Sequence, residues 1–403
     1  MMTAAPLHAQ YTVLHNFTGG SGDGARPLGD LTLSGSLIYG VTDYGGSSNY
    51  GTAFSMNSNG TGFSLLRSFT GGTSDGKYPD GTLKLDGSTL YGVTHDGGSG
   101  GNGTVFSMNT SGTSFSILHN FTSGAGDGST PGATMVLSGS TLYGMTSQGG
   151  SAGVGTVFRI STDGTGFSLL HTFTGGADGS NPYGSLTLSG SKLYGMAWGG
   201  GSASVGTAFS LNTDGTSFSL LHTFAGGASD GKNPNGALTL SGSKLYGMTM
   251  SGGSGSPNGD GTVFSMNTDG TGFSLLHSFN GSANDGTLPI RDLTLSGSTL
   301  YGMTYRGGSN NLGTMFQINT DGTGYNLLHT FGGTGDGSLP GSDLTISGSI
   351  LYGTTTQGGS ANNGIVFSYQ LTPAPEPSSF VLSALGMAGL AAARRRRSST
   401  GGA

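Results

Sequence analysis

Lys192-Leu193-Tyr194-Gly195-Met196 is one copy of a short apolar run, centred on Tyr-Gly, that returns at Tyr39, Tyr91, Tyr143, Tyr194, Tyr246, Tyr301 and Tyr352. Successive tyrosines stand 52, 52, 51, 52, 55 and 51 residues apart. A period of about 50 marks one supersecondary unit copied seven times, and points to a propeller or a similar array. Each copy has the same parts around the run. Upstream, Phe167-Ser168-Leu169-Leu170-His171-Thr172-Phe173 alternates like a β-strand, followed by a glycine-rich loop with Asp-Gly and a proline, Asp178-Gly179-Ser180-Asn181-Pro182. Leu186-Thr187-Leu188, a Ser189-Gly190 turn and the Tyr-Gly run then read as a hairpin, since glycine accepts the positive φ that such turns require. Downstream, Gly206 to Leu211 reads as a third strand and an Asn-Thr-Asp-Gly turn leads into the next Phe-Ser-Leu-Leu-His stretch. Four short strands per unit is the composition of a propeller blade.

The order of the strands sharpens this. Tyr11 to Phe17 matches the fourth strand of a unit, and Gly364 to Tyr369 matches the third. Six units are complete in themselves, and the seventh is complete only if the two stretches meet. A solenoid has no reason to divide a unit in this way, whereas a ring gains a clasp that removes exposed sheet edges. The expected fold is therefore all-β: a seven-bladed β-propeller of four-stranded blades over residues 11–371, closed by a one-plus-three clasp. A right-handed β-solenoid is the alternative, although the repeat is about twice the usual solenoid length of roughly 20 to 30 residues.

Composition limits the function. Glycine supplies 83 of 403 residues, which alone would suit a disordered chain. Large hydrophobic residues at fixed offsets argue for a packed core instead. Outside residues 374–403 the chain holds 19 aspartates against 10 basic residues, a charge of −9. Nucleic-acid binding is disfavoured, because it needs a basic surface to displace counterions. With no cysteine, disulfides, thiolate chemistry and cysteine zinc sites are excluded.

The unit Tyr143 to Phe158, with Leu-Tyr-Gly-Met-Thr, then Gly-Gly, then Gly-Thr-Val-Phe, resembles the GloVer-type tandem repeat of bacterial exported proteins. The resemblance runs from Tyr11 to Gln370, and the last unit departs from it conservatively with Ile365 in place of threonine. It implies export and a choice of surface anchor rather than an activity.

The C-terminal stretch has three parts. Pro373-Ala374-Pro375-Glu376-Pro377 lies in a linker, 372–379; a mostly apolar run follows at 380–393; and Arg394, Arg395, Arg396 and Arg397 open a basic tail, 394–403. Arginines on the cytoplasmic side of a membrane segment would leave the propeller outside. Fourteen helical residues span about 21 Å, short of a hydrocarbon core of about 30 Å, so the segment suits transient anchoring. This arrangement resembles the PEP-CTERM sorting signal, in which an exosortase recognises Pro375-Glu376-Pro377. An ordinary tail anchor is the alternative. Residues 1–10 read as the remnant of a secretory signal peptide or as a disordered tip, with the true start upstream.

No catalytic constellation stands out. His15, His119, His171, His222, His277 and His329, with Arg67 in the remaining place, occupy one repeat position. Equivalent positions on a ring are held apart, so a structural bond to a neighbouring loop is expected rather than metal binding. The loop aspartates Asp23, Asp75, Asp127, Asp178, Asp230, Asp285 and Asp336 are expected to cap loop amides. One carboxylate per loop is too few for calcium, so no metal or cofactor is expected. Glu376 is the only glutamate, and no aspartate pair is singled out for a glycosidase.

Repeats supply an internal control: positions alike in every copy serve the fold, and positions that differ are free for function. Before each Gly-Gly doublet two residues differ, giving Asp43-Tyr44, His95-Asp96, Ser147-Gln148, Trp198-Gly199, Met250-Ser251, Tyr305-Arg306 and Thr356-Gln357. All should share one rim of the ring. Tyr44, His95, Asp96, Trp198, Tyr305 and Arg306 offer aromatic faces and polar groups suited to sugars. Neutral variation of exposed loops explains the same pattern. The reading is a non-catalytic exported propeller that binds or scaffolds exopolysaccharide, anchored transiently in the inner membrane and then released to the cell surface or extracellular matrix. A polysaccharide lyase or hydrolase acting at the rim is the alternative.

Overall fold

The structure, a computed structural model, describes residues 10–255 and 259–371. Residues 1–9 of the expected N-terminal tip, the proline-rich linker, the apolar segment and the arginine tail lie outside the described residues.

Seven antiparallel sheets form the blades of a propeller. In blade 4 the strands are Thr187–Ser189, Lys192–Ala197, Thr207–Asn212 and Ser219–Thr223, each paired with the next in sequence. The first strand lies innermost, where the Thr187 hydroxyl donates to the Leu238 carbonyl, just ahead of the strand Thr239–Ser241 of blade 5. In blade 7, Tyr11–Asn16 is the outer strand, with Tyr11 opposite Tyr369 and Asn16 opposite Ile365. The one-plus-three clasp is thus present, and the solenoid is excluded.

The Tyr-Gly pair has a physical basis. Gly195 sits opposite Phe209 in the strand register, and a Cβ there would lie 2.5 Å from the Phe209 ring. Glycine leaves room for a fully buried phenylalanine on the third strand. The apolar cores lie between blades. Phe173 of blade 3 packs with Leu186, Leu193 and Phe209 of blade 4, and Phe17, Tyr352 and Val366 of blade 7 pack with Leu31, Ile38 and Phe54 of blade 1. No blade completes a core alone, so ring closure is needed to bury the last one.

Ile365 is fully buried, as befits a conservative change. In five other blades threonine at this place pairs with a threonine hydroxyl on the second strand, as Thr52 does with Thr42 at 2.7 Å. In blade 7 the Thr355 hydroxyl keeps only its bond to the Gln357 carbonyl, at 2.8 Å.

The residue before each loop proline adopts a left-handed backbone: Arg26, Tyr78, Thr130, Asn181, Asn233, Leu288 and Leu339 have φ between 51° and 56°. This is a costly conformation for bulky or β-branched side chains, and it persists because the neighbouring blade holds it. The amide of Tyr78 donates to the Tyr50 carbonyl of blade 1 at 2.8 Å, and that of Asn233 to the Val205 carbonyl of blade 4 at 2.7 Å. These turns set the next residues at the mouth of the central channel.

Candidate functional site

The rim pairs continue the second strand past its hairpin, where most face a short first-strand piece: Asp96 stands opposite Lys77 and Arg306 opposite Thr287. All seven therefore lie at the same end of the ring. Successive side chains alternate in direction, so the pairs differ in what they present. In blades 3 and 7 the first member is buried and its hydroxyl is used internally, Ser147 donating to the Thr130 carbonyl at 3.1 Å and Thr356 to the Leu339 carbonyl at 2.8 Å. Blades 1, 2, 4 and 6 carry the chemically distinctive groups.

Tyr44, His95 and Asp96 are brought together. They line a cavity of about 330 Å³ with Leu28, Asp43, Tyr78 and Asp80. The Tyr44 and Tyr78 rings lie 5.2 Å apart, and the Arg26 guanidinium stands 5.0 Å from the Tyr44 ring centre. His95 Nδ1 is 2.9 Å from an Asp96 oxygen, and Lys77 Nζ is 3.5 Å from the other. Asp43 makes no side-chain hydrogen bond or ion pair among the described residues. Burial pushes its carboxyl up to about 6, the Asp80 charge adds to the rise, and Arg26, His95 and Arg291 oppose it.

Trp198 stands on blade 4, 37% exposed, edge-on to Tyr183 at 6.3 Å. Tyr183 faces a second cavity of about 190 Å³ over the channel mouth, shared with Asp80, His95, Ser147, Asn235 and Arg291. Tyr305 and Arg306 touch each other, 5.9 Å from guanidinium to ring, and line neither cavity.

The channel-mouth residues were missed by the sequence reading, although a signal was present. The position after each loop proline holds Leu28, Asp80, Gly132, Tyr183, Asn235, Ile290 and Gly341, which differ as freely as the rim pairs. Beneath them Arg291, in a left-handed conformation with φ 83°, donates from Nε to the Gly341 carbonyl at 2.8 Å and places Nη2 3.6 Å from Asp80. Three carboxylates on the adjacent blades 6, 7 and 1 then line one side of the channel. The Asp343 amide donates to Asp30 at 2.6 Å, the Asp292 amide to Asp343, and the Ala237 amide to Asp292. Burial, with the Asp30 charge, pushes Asp292 up to about 6, and burial with Asp292 and Asp30 pushes Asp343 well above the usual carboxylate range. Burial would lower Arg291, but Asp80, Asp30, Asp343 and Asp292 hold it above its ordinary value.

The histidines and loop aspartates are partners in one belt. Nε2 of His15, His119, His171, His222, His277 and His329 lies 3.0 to 3.2 Å from Asp23, Asp127, Asp178, Asp230, Asp285 and Asp336, and Arg67 bonds Asp75 at 3.0 Å. Each histidine also stacks on an aromatic ring of the following blade, as His171 does on Phe218 at 3.9 Å, and His329 meets Tyr11 of the clasp at 3.9 Å. The aspartates cap loop amides as expected, Asp23 accepting from Thr18 at 2.9 Å and Gly24 at 2.8 Å. Burial would raise Asp23, but His15 and these amides hold it below its ordinary value. No group of three or more potential metal ligands occurs among the described residues.

A family model for the Gloeobacter/Verrucomicrobia repeat matches residues 2–196 and 130–367. The chain belongs to this repeat family. A PEP-CTERM protein-sorting motif matches residues 373–397 behind the propeller. That motif implies export and processing by an exosortase. Among curated proteins, none matches the chain. Similar solved structures include an oligogalacturonate lyase in complex with manganese, 14% identical over 87% of this chain and 90% of that one, TM-score 0.58. Another oligogalacturonate lyase, from Vibrio parahaemolyticus, is 12% identical over 90% and 93%, TM-score 0.57. A GH74 enzyme of Niastella koreensis is 15% identical over 89% of this chain and 53% of that one, TM-score 0.56. At these identities the likeness shows the fold.

Proposed function

We propose that this repeat protein is an exported, non-catalytic propeller that binds or scaffolds extracellular polysaccharide through its rim. The supporting observation is the placement of Tyr44 with Tyr78 and of Trp198 with Tyr183 on one face, beside two open cavities lined by hydrogen-bonding groups. Aromatic faces with a few polar groups suit sugar rings, which have apolar faces and polar edges. In this reading the segment 380–393 holds the chain in the inner membrane until the exosortase cuts near Glu376, after which the propeller stays at the surface or in the matrix. Among the described residues no helix is long and apolar enough to cross a membrane, and the segment lies outside them.

A second reading has a specific observation in its favour. Asp43 is held at about 6 in a cleft beside Asp80 and His95, a combination found at acid–base sites. Two structures that share the fold are named as oligogalacturonate lyases, so a polysaccharide lyase or hydrolase at this rim is the enzymatic alternative. Incubating the purified protein with a panel of exopolysaccharides separates the two. A binder retains polymer of unchanged length, whereas an enzyme shortens it. Sorting is tested apart: Glu376→Ala should leave an unprocessed or mislocalised protein, and unchanged mature mass and surface location in that variant would overturn the exosortase assignment.

A further inference from the structure

Both described ends of the chain leave the ring on the same face, opposite the rim. The third strand of blade 7, Ile365–Gln370, starts at the rim, where Ile365 pairs with Thr355. It ends beside the hairpin turn Ser347-Gly348-Ser349, where the Leu371 amide donates to the Ser349 carbonyl at 2.8 Å. The clasp strand begins at that same end, with Tyr11 opposite Tyr369, and the Gln370 amide donates to the Gln10 carbonyl at 2.7 Å. Residues ahead of Gln10 and beyond Leu371 therefore set out from neighbouring points on this turn face. The blades build it from the turns between their first and second strands and between their third and fourth.

We propose that the turn face is the membrane-side surface of the anchored protein, held near the headgroups of the bilayer, and that the rim faces away. The inference rests on reading 380–393 as a membrane segment, and lengths decide it. The linker 372–379 has eight residues, which reach about 28 Å when fully extended. From turn to rim the second strand of blade 7, Ile350–Gly358, runs nine residues, about 30 Å. A rim turned to the membrane would need the linker to climb the whole height of the blade before entering the bilayer. A segment that starts at residue 380 therefore keeps the turn face within the linker's length of the headgroups and the rim beyond it.

The chemistry of the turn face fits a hydrated headgroup layer and not insertion into lipid. Asp163, Asp214, Asp269 and Asp321 are exposed on its turns, each accepting from the threonine two residues on, as Asp163 does from the Thr165 amide at 2.9 Å. Those bonds hold the four carboxyls below their ordinary value, so they stay ionised. Lys84, Lys192 and Lys244 balance part of this charge, and the face has no basic excess to draw in anionic lipid by itself. The tether sets the approach. Tyr44 and Trp198 are then free to meet polymer while the chain is still anchored.

The chain has no cysteine, so a single dye can be placed at a chosen residue. Ser347→Cys in the hairpin turn and Gln357→Cys on the rim put a donor dye at opposite ends of blade 7, both at exposed positions. Each full-length variant is reconstituted into phosphatidylcholine vesicles that carry an acceptor dye on a fraction of the lipid headgroups, and attachment is checked by flotation. The donor in Ser347→Cys should transfer energy to the headgroups several-fold more efficiently than the donor in Gln357→Cys. Equal transfer, or stronger transfer from the rim, in protein that floats with the vesicles would overturn the orientation and leave the membrane segment standing. Protein that does not float would overturn the membrane segment and the orientation with it.

Discussion

The outer belt and the inner rim are built from the same seven units, yet they follow opposite rules. In the belt His171, Asp178 and Phe218 recur in chemically equivalent form at every blade junction, with only Arg67 and the tyrosines Tyr325 and Tyr11 as variants. On the rim, Trp198, His95, Met250 and Ser147 occupy one position and share nothing. The contrast shows that joining blades demands the same contact seven times, whereas the face of the ring needs no symmetry and is free to carry a site. Four kinds of change probe that division, each expected to disturb the molecule less than the one before.

Deleting residues 11–17 attacks the closure on which both regions depend. Phe17 is fully buried, and Tyr11, Val13 and Leu14 are partly so. At roughly 1.5 to 3 kcal/mol for a fully buried side chain and less for the others, the loss is about 4 to 8 kcal/mol. That is comparable to the whole stability of an ordinary domain, so the protein should lose its cooperative melt and its protease-resistant body. A truncated protein that melts like the parent would mean that the clasp contributes nothing.

Breaking a single belt contact should cost less. His171→Ala leaves the Asp178 carboxylate without its imidazole partner and Phe218 without its stacking ring, a loss of about 1 to 3 kcal/mol measurable by urea titration. His95→Ala, on the exposed rim, should stay within about 0.5 kcal/mol of the parent. Equal effects from the two would erase the distinction between belt and rim.

The two regions should also respond oppositely to pH. Asp23, Asp127, Asp285 and Asp336 of the belt are held below their ordinary value, so their stabilising effect is present above about pH 4 and is lost as pH falls through the lower folded value. Asp292 and Asp43 are pushed up to about 6, so the folded state takes up protons more readily than the unfolded one there. Their contribution is complete below about pH 4 and is lost as pH rises to about 6. The raised channel and rim carboxylates should therefore lower stability as pH rises from about 4 to neutral, opposed by His171, which burial holds below its ordinary value so that its contribution is lost as pH falls, and Asp292→Asn should remove part of the carboxylates' share of the slope in a urea titration. A slope between pH 4 and 7 that is the same in Asp292→Asn as in the parent would contradict the buried channel carboxylates.

Much of this was legible in the sequence. The spacing of Tyr39 to Tyr352 and the separation of Tyr11–Phe17 from Gly364–Tyr369 specify seven blades and a clasp, because strand count and sheet closure depend on pattern rather than on detail. The histidines and loop aspartates were read as structural, but not as each other's partners. A spacing of seven or eight residues across a glycine-rich loop does not reveal where the loop folds back. The channel mouth was less visible still. Its residues depend on left-handed turns at Thr130, Leu288 and their equivalents, a conformation that local propensity argues against and that only the neighbouring blade stabilises. Tyr305 and Arg306 were grouped with Tyr44 and His95 on sequence grounds, and the structure places them on the same rim but away from the cavities.

The gentlest of the four changes bears on the binding surface itself. Tyr44→Ala combined with Trp198→Ala removes two rim aromatic rings and touches neither the belt nor an interblade core. Retention of this double variant on the polysaccharide that the parent binds should weaken by roughly 1 to 3 kcal/mol per stacked ring, a range taken from aromatic stacking on nucleic-acid bases, while its melting temperature stays at the parent value. Unchanged retention would show that the variable rim is not the binding surface. A melting temperature lowered as far as in His171→Ala would show that it belongs to the framework after all.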